Sequence, residues 1–250
     1  MTTLTLNSKE FINFVLSPTT RFNTDVTLYV DDGVISTTCY TSSVDKQQMY
    51  MLAETHVQVA NPPDEPIVLR IGNPSRYIEI LKQMGDETID LLYDGSTLSY
   101  KSKTAAYKRF RFHLLAEDAA AKTPLNRDTM RKLTGSTKFT MTFEMARSAV
   151  NMITAMPLMN KLYFNAGDNG VICSLTDKEI DGSDSIDMQI SDTFEGDRFE
   201  DLIITDSVLR IISGVKFDTC TIEVTKNRIM IFRIPYGQST IIYVIPSKTR

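Results

Sequence analysis

Few side chains in this 250-residue chain are of a type that does chemistry, and their spacing builds none of the familiar sites. His56 and His113 are the only histidines. Cys39, Cys173 and Cys220 stand far apart, with no CxxC, each in a strand-like run. A structural zinc site draws four such ligands from paired spacings. The histidines therefore read as strand residues and the cysteines as buried free thiols of a reducing compartment. One acidic run, DKEIDGSDSIDMQISD at 177–192, could attract a divalent cation. It lacks the 1, 3, 5, 12 oxygen spacing of a calcium loop and reads as a solvated loop and strand. The enzyme alternative is a metal-dependent hydrolase with Asp184 and Asp187 in its site. No GxGxxG, GxxxxGK[ST] or GxSxG cradles a phosphate or presents a nucleophile. The reading is of a protein that is not an enzyme and needs no cofactor and no metal.

Bulk properties narrow the classes further. The net charge of −4 counts against a conventional DNA-binding domain and leaves any DNA contact to a local basic face. Hydrophobic content of 42% and charged content of 23% are those of a globular protein. No window approaches the ~20 apolar residues of a membrane span, and the amino terminus has no signal-peptide pattern. There is no N-x-S/T site either. The expected location is cytoplasmic.

The elements follow from periodicity. Residues 2–7 alternate as a strand, Ser8 is a candidate N-cap, and Phe11, Ile12, Val15 and Leu16 make one face of a short helix. Residues 25–31 and 34–40 alternate around Asp32-Gly33, a hairpin signal. Strands over 49–59 and 66–71 come next. Asn73-Pro74 then opens a helix whose apolar face is Tyr77, Ile78, Leu81 and Met84. Strands over 88–93, 98–101 and 106–115 close the half. Residues 116–136 are poor in large apolar groups and read as a connector with room for a short helix.

The order then starts again. FTMTFEMARSAVNMI from Phe139 has the plan of LTLNSKEFINFVL from Leu4, a strand running straight into a helix. A helix over 144–156, a hairpin around 167–170 and strands over 185–191 and 201–205 follow. A helix over 207–213, capped by Asp206 or Thr205, leads to three closing strands. The fold class is α+β, two tandem copies of a βαββββαβββ domain with helices on one face of antiparallel sheets. The copies are 1–115 and 137–250, joined by the linker 116–136.

Two copies of this topology, an acidic chain and a long connector resemble the DNA sliding clamps, most closely the trimeric two-domain type. IIYVIPSKTR is similar to the clamp ending, TDSVLRIIS to the second helix of the second domain, and NPSRYIEILKQM to its counterpart in the first. The divergence points to a viral or phage member, acting in the host cytoplasm. The connector departs from the family pattern in having only Leu125, Met130 and Leu133 as large apolar residues.

The resemblance implies a DNA polymerase processivity factor. A homotrimeric ring would encircle duplex DNA, slide without sequence specificity and tether the polymerase, after an ATP-dependent clamp loader opens it. A viral structural protein of tandem β-rich domains is the other non-enzymatic reading. The predicted helices carry five basic residues, Lys9, Arg76, Lys82, Arg147 and Arg210, against Glu10, Glu79 and Glu144. These cations are the expected DNA contacts. Partner binding is expected at Val44, Leu125, Pro235, Tyr236, Ile245 and Pro246, with Pro246 freeing the tail after it. Subunit contacts are expected where a basic edge, Lys108, Arg109, Phe110, Arg111 and Phe112, meets an acidic one, Asp184, Ile186, Asp187, Met188 and Ile190.

Overall fold

The computed structural model describes residues 1–44, 47–105, 107–116, 125–156, 159–176, 178 and 182–248, except the side chains of 42–44. Strand β1 (Thr2–Asn7) ends on Asn7, whose side-chain oxygen accepts from Glu10 N–H at 3.0 Å. Asn7, not Ser8, is thus the N-cap, because its amide reaches the third N–H of the turn. The helix winds as α1 (Ser8–Glu10), a π-helical stretch (Phe11–Leu16) and α2 (Ser17–Thr19). Apolar residues at 11, 12, 15 and 16 are four and five apart, and the i→i+5 winding gathers them on one side. All four join the core with Leu4 and Leu6, and Asn13 alone in that stretch is exposed.

The same arrangement recurs after the connector. Strand β10 (Thr137–Thr142) ends on Thr142, whose hydroxyl accepts from Met145 N–H at 3.2 Å to start α5 (Phe143–Ala155). In the first half follow β2 (Asp25–Asp31), β3 (Val34–Val44), β4 (Gln47–His56), β5 (Gln58–Ala60), β6 (Ile67–Gly72), α3 (Pro74–Met84), β7 (Thr88–Tyr93), β8 (Thr97–Lys101) and β9 (Arg109–His113). A short α4 (Arg127–Lys132) lies in the connector, held by wholly buried Met130. The second half continues with β11 (Lys161–Gly167), β12 (Gly170–Thr176), β13 (Ser185–Ser191), β14 (Glu195–Gly196), β15 (Phe199–Thr205), α6 (Asp206–Ile212), β16 (Thr219–Val224), β17 (Ile229–Tyr236) and β18 (Ser239–Pro246). The α+β class of the sequence reading is the observed one, antiparallel sheets with few helices. Each half adds one short strand to the expected order, β5 and β14, and each adds it beside its own first strand.

Sheet order makes the repeat explicit. One sheet runs β5-β1-β7-β8-β9, another β13-β12-β11-β15. The third runs β14-β10-β16-β17-β18-β4-β3-β2-β6. β1 pairs β7 from Thr2↔Tyr93 to Asn7↔Thr88, and β10 pairs β16 from Thr137↔Val224 to Thr142↔Thr219. The first strand of each half therefore pairs over its full length with the first strand after the second helix.

By internal contacts the chain forms two units. Unit 1 is Met1–Cys39, Leu52–Arg127 and Tyr236–Ile241; unit 2 is Tyr40–Met51, Asp128–Pro235 and Ile242–Arg250. In unit 1, Tyr77, Ile78 and Leu81 of α3 bury against Leu91, Leu98 and Tyr100 of the five-stranded sheet. In unit 2, Ala146, Ala149 and Ile153 of α5 and Val208, Leu209 and Ile212 of α6 turn inward, with Phe139, Phe164, Leu175 and Leu202 among the buried strand residues. Each large aliphatic or aromatic side chain so buried contributes about 1.5–3 kcal/mol.

Candidate functional site

The helix faces left outside these cores carry the cations. α3 starts on Asn73, which adopts the left-handed φ of 53° that asparagine tolerates and accepts from Arg76 N–H at 3.2 Å. It stops at Gly85, φ 77°. Between these caps, burying Tyr77, Ile78, Leu81 and Met84 exposes Arg76, Glu79 and Lys82. Lys9 is exposed on α1, and Arg147 on α5, its guanidinium carbon 5.9 Å from the Phe143 ring. In unit 1, α3 packs on the π-helical stretch and on α2; in unit 2, α5 packs on α6. Each unit therefore presents a packed helix pair with exposed cations.

Two acids change the charge balance read from the sequence. Glu10 is not a free helix-surface charge: its carboxylate accepts from Gln238 N–H at 3.2 Å, Ser239 Oγ at 2.7 Å and Thr55 Oγ1 at 3.4 Å. Gly237 suits the turn beside it, with φ 54° and a Cβ position 2.5 Å from Glu10 Oε1. Of the two expected caps, Thr205 is the N-cap; Asp206 is the first residue of α6, and Arg210 Nε donates to it at 3.1 Å. Arg210 is thus a compensated cation, while Lys9, Arg76, Lys82 and Arg147 have no ion-pair partner among the described residues.

The expected partner residues are placed unequally. The side chain of Val44 lies outside the described residues. Leu125 is half-buried and Pro235 exposed. Tyr236 is 49% exposed, its ring stacked on Phe14 at 4.3 Å with an interplanar angle of 13°. Ile245 is wholly buried. Pro246 is half-buried, and its carbonyl accepts from Gln47 Nε2 at 2.9 Å. Ser247 and Lys248, the described residues after Pro246, are not freed, contrary to expectation. Ser247 N–H donates to Arg228 O at 2.8 Å, Lys248 N–H to Ile203 O at 2.9 Å, and Ile203 N–H to Ser247 Oγ at 2.9 Å. Proline removes one donor, but the backbone beyond it finds acceptors in β15 and at Arg228.

The two charged runs meet the structure as sheet edges. β9 is the last strand of its sheet, with Arg109 and Arg111 exposed on one face. On the other, half-buried Phe110 and Phe112 sit edge-on to Tyr77 at 5.7 and 4.8 Å. Lys108 Nζ donates to the Gln83 carbonyl at 2.7 Å near the end of α3, so its charge serves the helix C-terminus. β13 is likewise an end strand, with Asp187 exposed, Ile186 and Met188 half-buried and Ile190 buried. Asp184 is exposed just before it, and Asp177, Glu179 and Asp181 of the acidic run lie outside the described residues.

The cysteines are buried. Burial pushes the Cys39 thiol up to about 12, against a hydrogen bond from Thr37, and raises those of Cys173 and Cys220 as well. They are therefore held as unreactive thiols. Among the described residues no three His, Cys, Asp or Glu side chains are grouped to hold a metal, and no helix is long and apolar enough to cross a membrane.

Comparison with solved structures decides the fold. The chain is similar to a structure described as "C-terminal region of FEN-1 bound to A. fulgidus PCNA", with TM-score 0.74 and 14% identity. The likeness covers 100% of this chain and 99% of that one. The fold is that of a sliding clamp. No family model matches the sequence, and no curated protein does.

Proposed function

We propose that this protein is a DNA polymerase processivity factor, a viral sliding clamp acting in the host cytoplasm. Its domains are 1–115 and 137–250, with 116–136 as connector. Three chains close a ring around duplex DNA, and the ring tethers the polymerase and slides. It performs no chemistry; an ATP-dependent loader opens it.

The observation that carries the ring is the pair of edges the repeat leaves over. β9 is the last strand of β5-β1-β7-β8-β9, and β18 holds the same place after β14-β10-β16-β17. Likewise β4 heads β4-β3-β2-β6 as β13 heads β13-β12-β11-β15. β18 has β4 as its neighbour; among the described residues their counterparts β9 and β13 have no neighbour on that side. A second chain supplies the missing join if its β13 adds to β9, a heterologous contact that closes on itself only in a ring. Exposed Arg109 and Arg111 then face Asp187, with exposed Asp184 just before the strand and Phe110, Phe112, Ile186 and Met188 on the other face. Ion pairs at a rim are worth about 0–1 kcal/mol each, so strand pairing and apolar contact supply most of the affinity and charge sets orientation.

Duplex DNA meets Lys9, Arg76, Lys82 and Arg147 through phosphates, which carry no base information and so permit sliding. Client proteins meet Leu125, Pro235, Tyr236 and Pro246, the accessible members of the expected set among the described side chains. The test is primer extension on a circular template with the cognate polymerase and loader, under a trap that permits one binding event. The reading predicts products lengthened by this protein only when loader and ATP are present. Unchanged product length with all components active would overturn it.

A further inference from the structure

We propose that the groove between the β2–β3 hairpin tip and the 61–66 loop binds an extended, lysine- or arginine-bearing segment of a partner protein as an added strand on β6. The groove lies within unit 1, has a volume of about 540 Å³, and is floored by Tyr29, Val30, Val59 and Ile67. Asp31, Asp32, Asp64 and Glu65 stand around it, all exposed, against the single cation Arg127. Arg127 is already engaged: its guanidinium lies 4.6 Å over the Tyr29 ring and donates to Ser36 Oγ at 3.0 Å. The surplus of anions above an apolar floor is complementary to a cationic chain with apolar residues between its charges.

The walls are built to stay open. The 61–66 loop reads NPPDEP, three prolines that fix φ in six residues. Val57 N–H donates to Gly33 O at 2.8 Å and Thr2 Oγ1 to Asn61 O at 2.8 Å, fastening the hairpin tip and the loop entry. A binding surface held this way loses little freedom on capture of a ligand.

The edge itself supplies the direction of binding. β6 ends its sheet, pairing only β2 among the described residues. Leu115 N–H donates to Arg70 O at 2.8 Å, so Arg70 turns its backbone outward from β2. Backbone direction alternates along a strand, so Val68, two residues earlier beside the groove, turns its N–H and C=O outward too. An extended peptide can bond there while alternate side chains reach the floor and the acidic rim.

The experiment uses the full chain and a fluorescent acetylated hexapeptide of alternating lysine and valine, with a glutamate–valine peptide as control, read by anisotropy. Saturable binding of the lysine probe, at least tenfold tighter than the control, is expected. Asp64→Lys with Glu65→Lys weakens it by about tenfold or more and flattens its salt dependence. Val68→Pro deletes only the outward donor; it weakens binding by a similar factor, keeps the salt dependence, and leaves the thermal midpoint near wild type. Asp184→Lys with Asp187→Lys, on the separate acidic edge of unit 2, leaves binding unchanged. Absence of saturable binding, or loss only in that last variant, overturns the proposal. So does binding that neither groove variant weakens. Failure of any kind here leaves the processivity assay, which does not use this groove, to stand by itself.

Discussion

In the first half of the chain, Ser8 N–H donates to the Glu87 carbonyl at 2.8 Å; in the second, Phe143 N–H donates to Asp218 at 3.4 Å. Both bonds tie the start of the first helix to the residue before the strand that pairs with its own leading strand. The residue preceding each acceptor differs. In the second half it is Phe217, 2% exposed and edge-on to Phe143 at 5.3 Å. In the first it is Asp86, 6% exposed, which accepts from Tyr100 OH at 2.5 Å and from Thr104 N–H and Oγ1 at 3.1 and 2.8 Å. One backbone plan is thus closed by ring packing in one place and by a charge-assisted network in the other. The network anchors the turn into β9, the strand that ends its sheet, whereas β18 at the matching place has a neighbour. The same wiring yields different surfaces because only one copy of each edge is covered.

Breaking the uncovered edges gives the largest effect. Arg109→Glu with Arg111→Glu should weaken subunit association by about thirtyfold, through the loss of two contacts of order 1 kcal/mol each. Light scattering at increasing dilution measures it. Adding Asp184→Lys and Asp187→Lys should partly restore the larger species. If the double variant keeps the wild-type mass at every dilution, β9 is not a subunit edge.

The next effect separates the two closures by pH. Burial alone would raise the Asp86 pKa, but bonds from Tyr100, Ser102 and Thr104 outweigh it and hold the carboxyl well below the usual range. A depressed folded-state pKa gives stability that is full above the unfolded value of roughly 3.9 and is lost as pH falls through the folded value. Asp86→Asn should therefore cost about 1.5–3 kcal/mol in urea unfolding at pH 7, and the gap to wild type should shrink below about pH 4. Phe217→Leu should cost about 1 kcal/mol with no such pH dependence. A gap for Asp86→Asn that persists undiminished at low pH would contradict the assignment.

The smallest effect distinguishes the helix pairs. Short-duplex binding at low salt should lose about 0.9 of its log–log salt slope for each phosphate contact removed. Reversing Lys9, Arg76 and Lys82 together should lower the slope by up to about 2.7 on that basis. Arg210→Glu should change it little, since Asp206 already holds that charge. Equal changes per charge would mean that pairing does not distinguish Arg210 from the exposed cations.

Element order was legible because strand alternation and the Asn73-Pro74 cap are local signals. The charged edges were legible as charge runs, and their expected place at sheet edges is the one the strand order shows; which strands neighbour them comes from distant segments. Glu10 shows in the sequence only as an acid on a predicted helix; its acceptor role depends on Gln238 and Ser239, more than 200 residues away. The fastening of Ser247 and Lys248 was missed for the same reason, because Pro246 removes only its own donor. The groove beside β6 joins Tyr29 to Arg127 across the fold. Only the proline-rich acidic stretch at 61–66 signalled it in one dimension.

The central claim is that the two uncovered edges join chains into a closed ring of three. The most direct measurement is the mass of the wild-type protein by size-exclusion light scattering over a wide concentration range. A chain of 28.2 kDa predicts a species near three times that mass, with no larger series at high concentration, because a closed ring has no free edge left. A single-chain mass throughout, or open-ended growth with concentration, would contradict it.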